Sequence, residues 1–277
     1  MRNRIIEQLL STYETRTIQD IEKAFREIIQ KIVLVGLSRS DFFSKASFYG
    51  GTCLRIFYHL ERFSEDLDFA ANKENVSFDK YEPYIFNELK SFGFDSVVSK
   101  KDGVDMNMID RRYVKINLLS IMNDYYPFSS LSFNKDKVLS VKVELDKEVF
   151  DYAKTEIKYL YTPVIANIAC YDLSSLFAGK IAALLNRNWK NRIKGRDFYD
   201  YLFYIRNGVS FNLNYLANKM GKDGLTLDKV KTMLLNKFNE VDMNLVKKDI
   251  TQFIDDIKLI EFDKDAFINS LSILNAN

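Results

Sequence analysis

The stretch "YGGTCLRIFYHLERFSEDLDF", residues 49–69, decides the fold. It sets a Gly-Gly-Thr turn ahead of an Asp-x-Asp, with Asp66 and Asp68 alternating with Leu67 and Phe69. Side chains at i and i+2 of a strand share a face, so both carboxylates fall on one side and both hydrophobes on the other. Like charges held side by side near a core repel and lose hydration, which predicts a cation between them. Gly50 and Gly51 allow a close backbone approach, and Thr52 reads as the N-cap of a short helix over 52–59. A flexible turn leading into a helix N-terminus suits a polyphosphate.

Working outward, helical spacing of apolar residues predicts a helix over 18–36 closed by Gly36, and a short strand over 43–49. The carboxylate strand spans 65–70, followed by a helix over 81–92 and a strand over 94–99. Alternation predicts strands over 112–121 and 139–150. Helices then follow over 173–187 and 195–208, with three or four more amphipathic helices across 210–277. The order is that of an α+β protein, with an α/β domain over 1–165 and a helical domain over 166–277.

The 277 residues carry a net charge of +2, so a nucleic-acid surface has to be a local patch. Cys53 and Cys170 lack zinc-type neighbours and read as reduced residues of a cytoplasmic protein. A lone His59 argues against a zinc enzyme or a His-based triad. The opening "MRNRIIEQLLSTYETRT" has no continuous apolar stretch and is not read as a secretory signal. No apolar run approaches the ~20 residues of a membrane span.

Two carboxylates on one strand need partners. "LSVKVELDKE" offers Glu144, with Lys142 on the same face and Val141, Val143 and Leu145 on the other. Asp66, Asp68 and Glu144 together make a hard-oxygen set suited to Mg²⁺ or Mn²⁺. Two such ions ~4 Å apart activate an attacking oxygen and steady a leaving one. A second candidate for the third position is Asn117, in the similarly shaped "YVKINLLS", and an amide there weakens the two-metal reading.

At this point the chain resembles the AbiEii/AbiGii toxin family, a branch of the polymerase-β-like nucleotidyltransferases. The resemblance rests on Gly50-Gly51-Thr52 and Arg62-Phe63-Ser64-Glu65-Asp66-Leu67-Asp68-Phe69, on "VKVELDKEV", and on "DLSSLFAGKIAALLNRNWKNRIKGRDFYDYLFYI", in family order over about 30–207. It implies a nucleotidyltransferase fold, a mixed sheet flanked by helices and followed by a helical bundle. It also implies transfer of a nucleoside monophosphate from an NTP to an acceptor hydroxyl, plausibly the 3′ end of tRNA. The chain is then the toxin of a toxin–antitoxin or abortive-infection system, with a DNA-binding antitoxin encoded alongside. Metal falls to Asp66, Asp68 and Glu144; nucleotide to Gly50, Gly51, Thr52, Arg62, Ser64 and Lys142. Similarity to MenT-type toxins marks Lys180 and Asp197 as needed for activity.

Plainer readings stand beside these. Lys180 lies in an apolar helix and reads equally as a snorkelling lysine. Asp197 and Asp200 suit a helix start. The loop "RNWKNRIKGR" sets Lys190, Arg192, Lys194 and Arg196 around Trp189, as a nucleic-acid contact or as a solvated basic loop. A nucleotide- or partner-binding module without turnover, and a metal-dependent nuclease using the same acids, are the alternative functions.

Overall fold

The computed structural model describes residues 2–100, 108–127, 131–187, 193–254 and 262–277. Helices α1 (Arg4–Leu10) and α2 (Ile18–Ser38) open the chain. A capping box starts α2: the Thr17 side chain accepts from the Asp20 backbone, and the Asp20 carboxylate accepts from the Thr17 backbone N–H at 3.0 Å. The helix runs through Gly36 instead of ending there. A Cβ at Gly36 would lie 2.8 Å from the Tyr84 carbonyl, so the glycine permits a close helix crossing.

A short turn, Phe42–Ser44, leads into β1 (Ala46–Tyr49), α3 (Gly50–Tyr58) and β2 (Leu67–Ala71). Then come α4 (Glu82–Ser91), β3 (Ser96–Lys100) and β4 (Ile109–Asn117). Helix α5 (Leu118–Tyr125) replaces the expected continuation of β4 to residue 121. Asn117 is its N-cap, its side-chain oxygen accepting from Leu119 N–H at 2.8 Å. Strands β5 (Val138–Asp146), β6 (Thr155–Leu160) and β7 (Ala166–Tyr171) complete a seven-stranded mixed sheet of order β3-β4-β5-β2-β1-β7-β6. Neither β6 nor β7 shows the hydrophobic-in alternation of β5: the less exposed face of β6 carries Glu156 and Lys158. In β6 both Ile157 and Tyr159 are 56% exposed, whereas β7 is buried at nearly every position.

The sheet's core is aromatic. Phe69 of β2 lies opposite Phe48 of β1, ring centroids 5.3 Å apart, and its ring meets Phe42 edge-on at 5.1 Å. That anchor fixes which way β2 faces, and therefore where Asp68 points.

The rest is helical: α6 (Leu173–Asn186), α7 (Gly195–Arg206), α8 (Leu213–Met220), α9 (Leu227–Glu240), α10 (Met243–Ile250) and α11 (Lys264–Ser270). Phe177 of α6 stacks on Tyr204 of α7 at 4.5 Å. Two compact units result, one of Met1–Cys53, Ser64–Val149 and Ile157–Cys170, the other of Leu54–Phe63, Phe150–Glu156 and Tyr171–Asn277. The helical unit thus begins at Tyr171 in the last continuous stretch, and recruits two earlier segments that no linear boundary separates. No helix among the described residues is long and apolar enough to cross a membrane.

Arg112 of β4, fully buried, is ion-paired with Asp79, Glu82 and Asp110. Burial pushes the Asp110 carboxyl up, but the Phe78 backbone N–H and the Arg112 charge outweigh it and hold it below its ordinary value. Asp110 therefore contributes stability above the ordinary carboxylate range, and that contribution is lost as pH falls through its folded value. Arg112→Met is expected to cost about 3–5 kcal/mol in urea unfolding at neutral pH, because it strands the buried Asp110 carboxylate. The gap to the native chain should narrow in acid, where Asp110 takes up a proton.

Candidate active site

The carboxylate face is built by a parallel strand pair. In the β2–β5 register Asp68 lies beside Glu144 and Leu67 beside Val143. Leu67, Phe69, Val143 and Leu145 are fully buried on the opposite face, as alternation predicts. Asp66 sits just ahead of β2, which starts at Leu67. Its position is set by Thr52, whose hydroxyl donates to the Asp66 carbonyl and lies 2.9 Å from the Ser64 hydroxyl. Thr52 is therefore not an N-cap. Helix α3 already begins at Gly50, and Thr52 is fully buried in its first turn, tying that turn to the carboxylate loop. Ser64 is buried too, its carbonyl accepting from Gln30 Nε2 at 3.0 Å.

The cation expected between Asp66 and Asp68 is found instead between Asp66 and Glu144, and it is Lys142. Its Nζ lies 3.0 Å from Asp66 Oδ2 and 2.7 Å from Glu144 Oε2. The other Glu144 oxygen accepts from Arg111 Nε at 2.5 Å, Arg111 being opposite Glu144 in the β4–β5 ladder. Burial lowers the Lys142 ammonium, but its bond to Glu144 and the charge of Asp66 carry it above its ordinary value. Burial raises the Glu144 carboxyl, and Lys142 and Arg111 together hold it below its ordinary value. Asp68 instead lies against Gly50. Gly50 has φ +81°, and a Cβ there would approach Asp68 Oδ2 to 2.6 Å. Asn117 pairs with Val138, at the other end of the β4–β5 ladder from Arg111 and Glu144. The residue beside Asp68 is thus Glu144.

No three Asp, Glu, His or Cys side chains among the described residues stand together as a ready metal site. The donors nonetheless fit a hard cation. Asp66, Asp68 and Glu144 offer only carboxylate oxygens, and an ammonium already stands between two of them.

The helical unit holds a second cluster. Lys180 of α6 lies 2.8 Å from both Asp197 Oδ1 and Asp200 Oδ2 of α7. Positions three apart share a helix face, so one lysine reaches both. Arg187 pairs with the other Asp197 oxygen. Arg62 donates to Asp200 through Nε at 2.5 Å and Nη2 at 2.7 Å, and to the Phe63 carbonyl through Nη1 at 3.0 Å. Arg62 is only 3% exposed, so the phosphate contact expected of it gives way to a buried ion pair. Burial pushes the Lys180 ammonium below its ordinary value, with Arg62 and Arg187 acting the same way against the pull of Asp200. Asp200 is held below its ordinary value because Arg62 and Lys180 overcome the burial that raises it.

Trp189, Lys190 and Arg192 lie outside the described residues. Lys194 precedes α7 and its carbonyl accepts from Asp197 N–H at 3.0 Å, while the Arg196 guanidinium lies over the Phe253 ring at 4.3 Å. Sequence reasoning passed over Arg111 and took Asp200 for a helix-start acid. The spacing of Asp197 and Asp200 on one helix face, with Lys180 in an apolar helix, was the available signal for Asp200.

A mixed sheet that sets carboxylates of neighbouring strands beside the Gly-Gly start of a helix is shared with a class of nucleotidyltransferases, as the family match shows. The sequence model of the nucleotidyl transferase AbiEii toxin family, of type IV toxin–antitoxin systems, matches residues 32–269, and the chain belongs to that family. Its fold is similar to MenT4, a nucleotidyltransferase toxin of Mycobacterium tuberculosis H37Rv. The two share 13% identity and a TM-score of 0.54 over 99% of this chain and 89% of that one. It is also similar to JHP933 of Helicobacter pylori, with 16% identity and a TM-score of 0.51 over 94% of this chain and 91% of that one. No curated protein matches by sequence.

Two substitutions check the geometry. Gly50→Ala is expected to destabilise the chain by about 1–3 kcal/mol, since the position needs positive φ and presses on Asp68. Urea unfolding reads it. Asp200→Asn weakens the partner of two buried cations and is expected to cost about 3–5 kcal/mol by the same measurement. A change under about 0.5 kcal/mol, the size expected at an ordinary surface site, would contradict the buried pairing.

Proposed function

We propose that the chain transfers a nucleoside monophosphate from an NTP to a hydroxyl at the 3′ end of tRNA, with Mg²⁺ or Mn²⁺ as the metal. The acceptor oxygen bonds to the α-phosphorus, the bond to the β-phosphate bridge breaks, and pyrophosphate leaves. The acceptor proton is released to solvent. What carries the reading is the placement of Asp68 beside Glu144, with Asp66 joined to the same face through Lys142.

Asp66, Asp68 and Glu144 would hold the metal, which supplies neutralising charge for the triphosphate. The Gly50-Gly51 backbone receives phosphate oxygens, while Thr52 and Ser64 keep Asp66 in position. Lys180 and Asp197 are required for activity, with Asp197 aiming Lys180 through their ion pair. Lys194 and Arg196, with Trp189, Lys190 and Arg192, contact the RNA. The chain acts in the cytoplasm as a toxin whose antitoxin, a DNA-binding repressor, is encoded alongside.

The test is incubation with Mg²⁺, total tRNA and each NTP labelled on its α-phosphate. Label is expected on tRNA from one NTP, falling at least roughly a hundredfold in the Asp66→Asn, Asp68→Asn double variant. RNA cleavage without NTP would make the chain a nuclease. Nucleotide bound without any product would make it a binding module.

A further inference from the structure

We infer that Lys142 is the resident cation of the carboxylate face and yields its place when a divalent ion binds there; the inference rests on the metal-dependent reading above. The Lys142 ammonium stands 3.0 Å from Asp66 and 2.7 Å from Glu144, where a cation shared by the two carboxylates belongs. It is not locked in. The Lys142 side chain is 28% exposed and that of Asp66 34%, so solvent and ions reach the pair.

The charges favour exchange over simple addition. Asp66 and Glu144 already share the Lys142 ammonium, and Glu144 takes Arg111 on its other oxygen. A divalent ion added on top would meet the Lys142 ammonium at close range and be repelled. Departure of Lys142 removes that repulsion. Arg111 stays on the outer oxygen of Glu144, so Glu144 keeps a partner. The two cations differ in the way exchange requires: Lys142 carries its charge on a flexible stem and is shared by two acids, while Arg111 holds Glu144 alone, through Nε.

One residue thus serves two states. Without metal, Lys142 keeps the carboxylates together; with metal, its released ammonium becomes a point charge available to the triphosphate. Metal affinity is held down by Lys142 until that release occurs.

The experiment is Mn²⁺ titration followed by the paramagnetic resonance of free Mn²⁺, with no nucleotide present. Native chain, Lys142→Met, Lys142→Gln and Asp66→Asn are compared. Both Lys142 variants are expected to bind Mn²⁺ roughly tenfold more tightly than the native chain, the effect of removing one neighbouring like charge. Asp66→Asn should lose the binding. Added Mn²⁺ should also raise the melting temperature of the Lys142 variants more than that of the native chain. Gln keeps a donor between the carboxylates and drops only the charge, so a Met variant that does not fold leaves the test intact.

Native or weaker affinity in the Lys142→Gln variant, with binding still abolished by Asp66→Asn, overturns this inference alone. Absence of Mn²⁺ binding in the native chain and every variant overturns the metal-dependent reading itself, and this inference with it.

Discussion

Carboxylates cannot gather on one face of a half-buried sheet without positive charge among them, and that constraint shapes the sheet unit. The cation comes from the same strand as one of the acids. Lys142 and Glu144 are two apart on β5, so the strand's own period puts them on one face. Asp68 joins them through the parallel β2–β5 register, and Asp66, just ahead of β2, through its ion pair with Lys142. A slip of one residue would turn Lys142 and Glu144 into the core and bring Val141, Val143 and Leu145 out, exposing three fully buried side chains. The hydrophobic face therefore enforces the register, and the register assembles the charges. Packing and electrostatics select the same pairing.

The helical unit meets the same constraint with less water. Lys180 lies between two aspartates much as Lys142 lies between an aspartate and a glutamate, yet the two lysines shift in opposite directions. Burial is the first reason. The second is the company each keeps: Arg62 and Arg187 crowd the acids around Lys180 and disfavour its charge. Such a cluster adds little net stability over an apolar core, yet losing one partner leaves an uncompensated buried charge. Its members consequently hold each other in fixed geometry.

Legibility in the sequence followed the range of the interactions. Alternation marked the two faces of β2 and β5 because it is set by the strand itself. Like-charge repulsion called for a cation between Asp66 and Asp68, but the one found, Lys142, bridges Asp66 and Glu144 because it shares a strand face with Glu144. Thr52 was misread because the helix-capping preference is local, whereas its hydroxyl is claimed by a carbonyl fourteen residues on. Asn117 shows the converse. As a candidate third ligand it was a long-range guess, whereas its side-chain oxygen accepts from the backbone of residues 119 and 120. Arg62 looked like a phosphate ligand because it neighbours the aspartates in sequence, but its partner is Asp200. Strands β6 and β7 escaped because β6 exposes its apolar Ile157 and Tyr159 while Glu156 and Lys158 lie on its less exposed face, and β7 is buried at nearly every position.

The fate of Arg62 also explains how the signature stretch is built. Between Phe63 and Ser64 the chain passes from the helical unit to the sheet unit. Arg62 completes the ion cluster of the first, and Asp66 and Asp68 supply the carboxylates of the second. A motif that reads as one phosphate-handling device is thus two structural commitments, Arg62 and Asp66, set four positions apart. Each commitment fixes its own end: Arg62 by a two-pronged bond to Asp200, and Asp66 by the Thr52 hydroxyl on its carbonyl. The spacing between arginine and aspartates is then constrained by folding on both sides. Constraint on the spacing can arise without Arg62 touching any ligand, so the residue's presence in the motif is no evidence that it does.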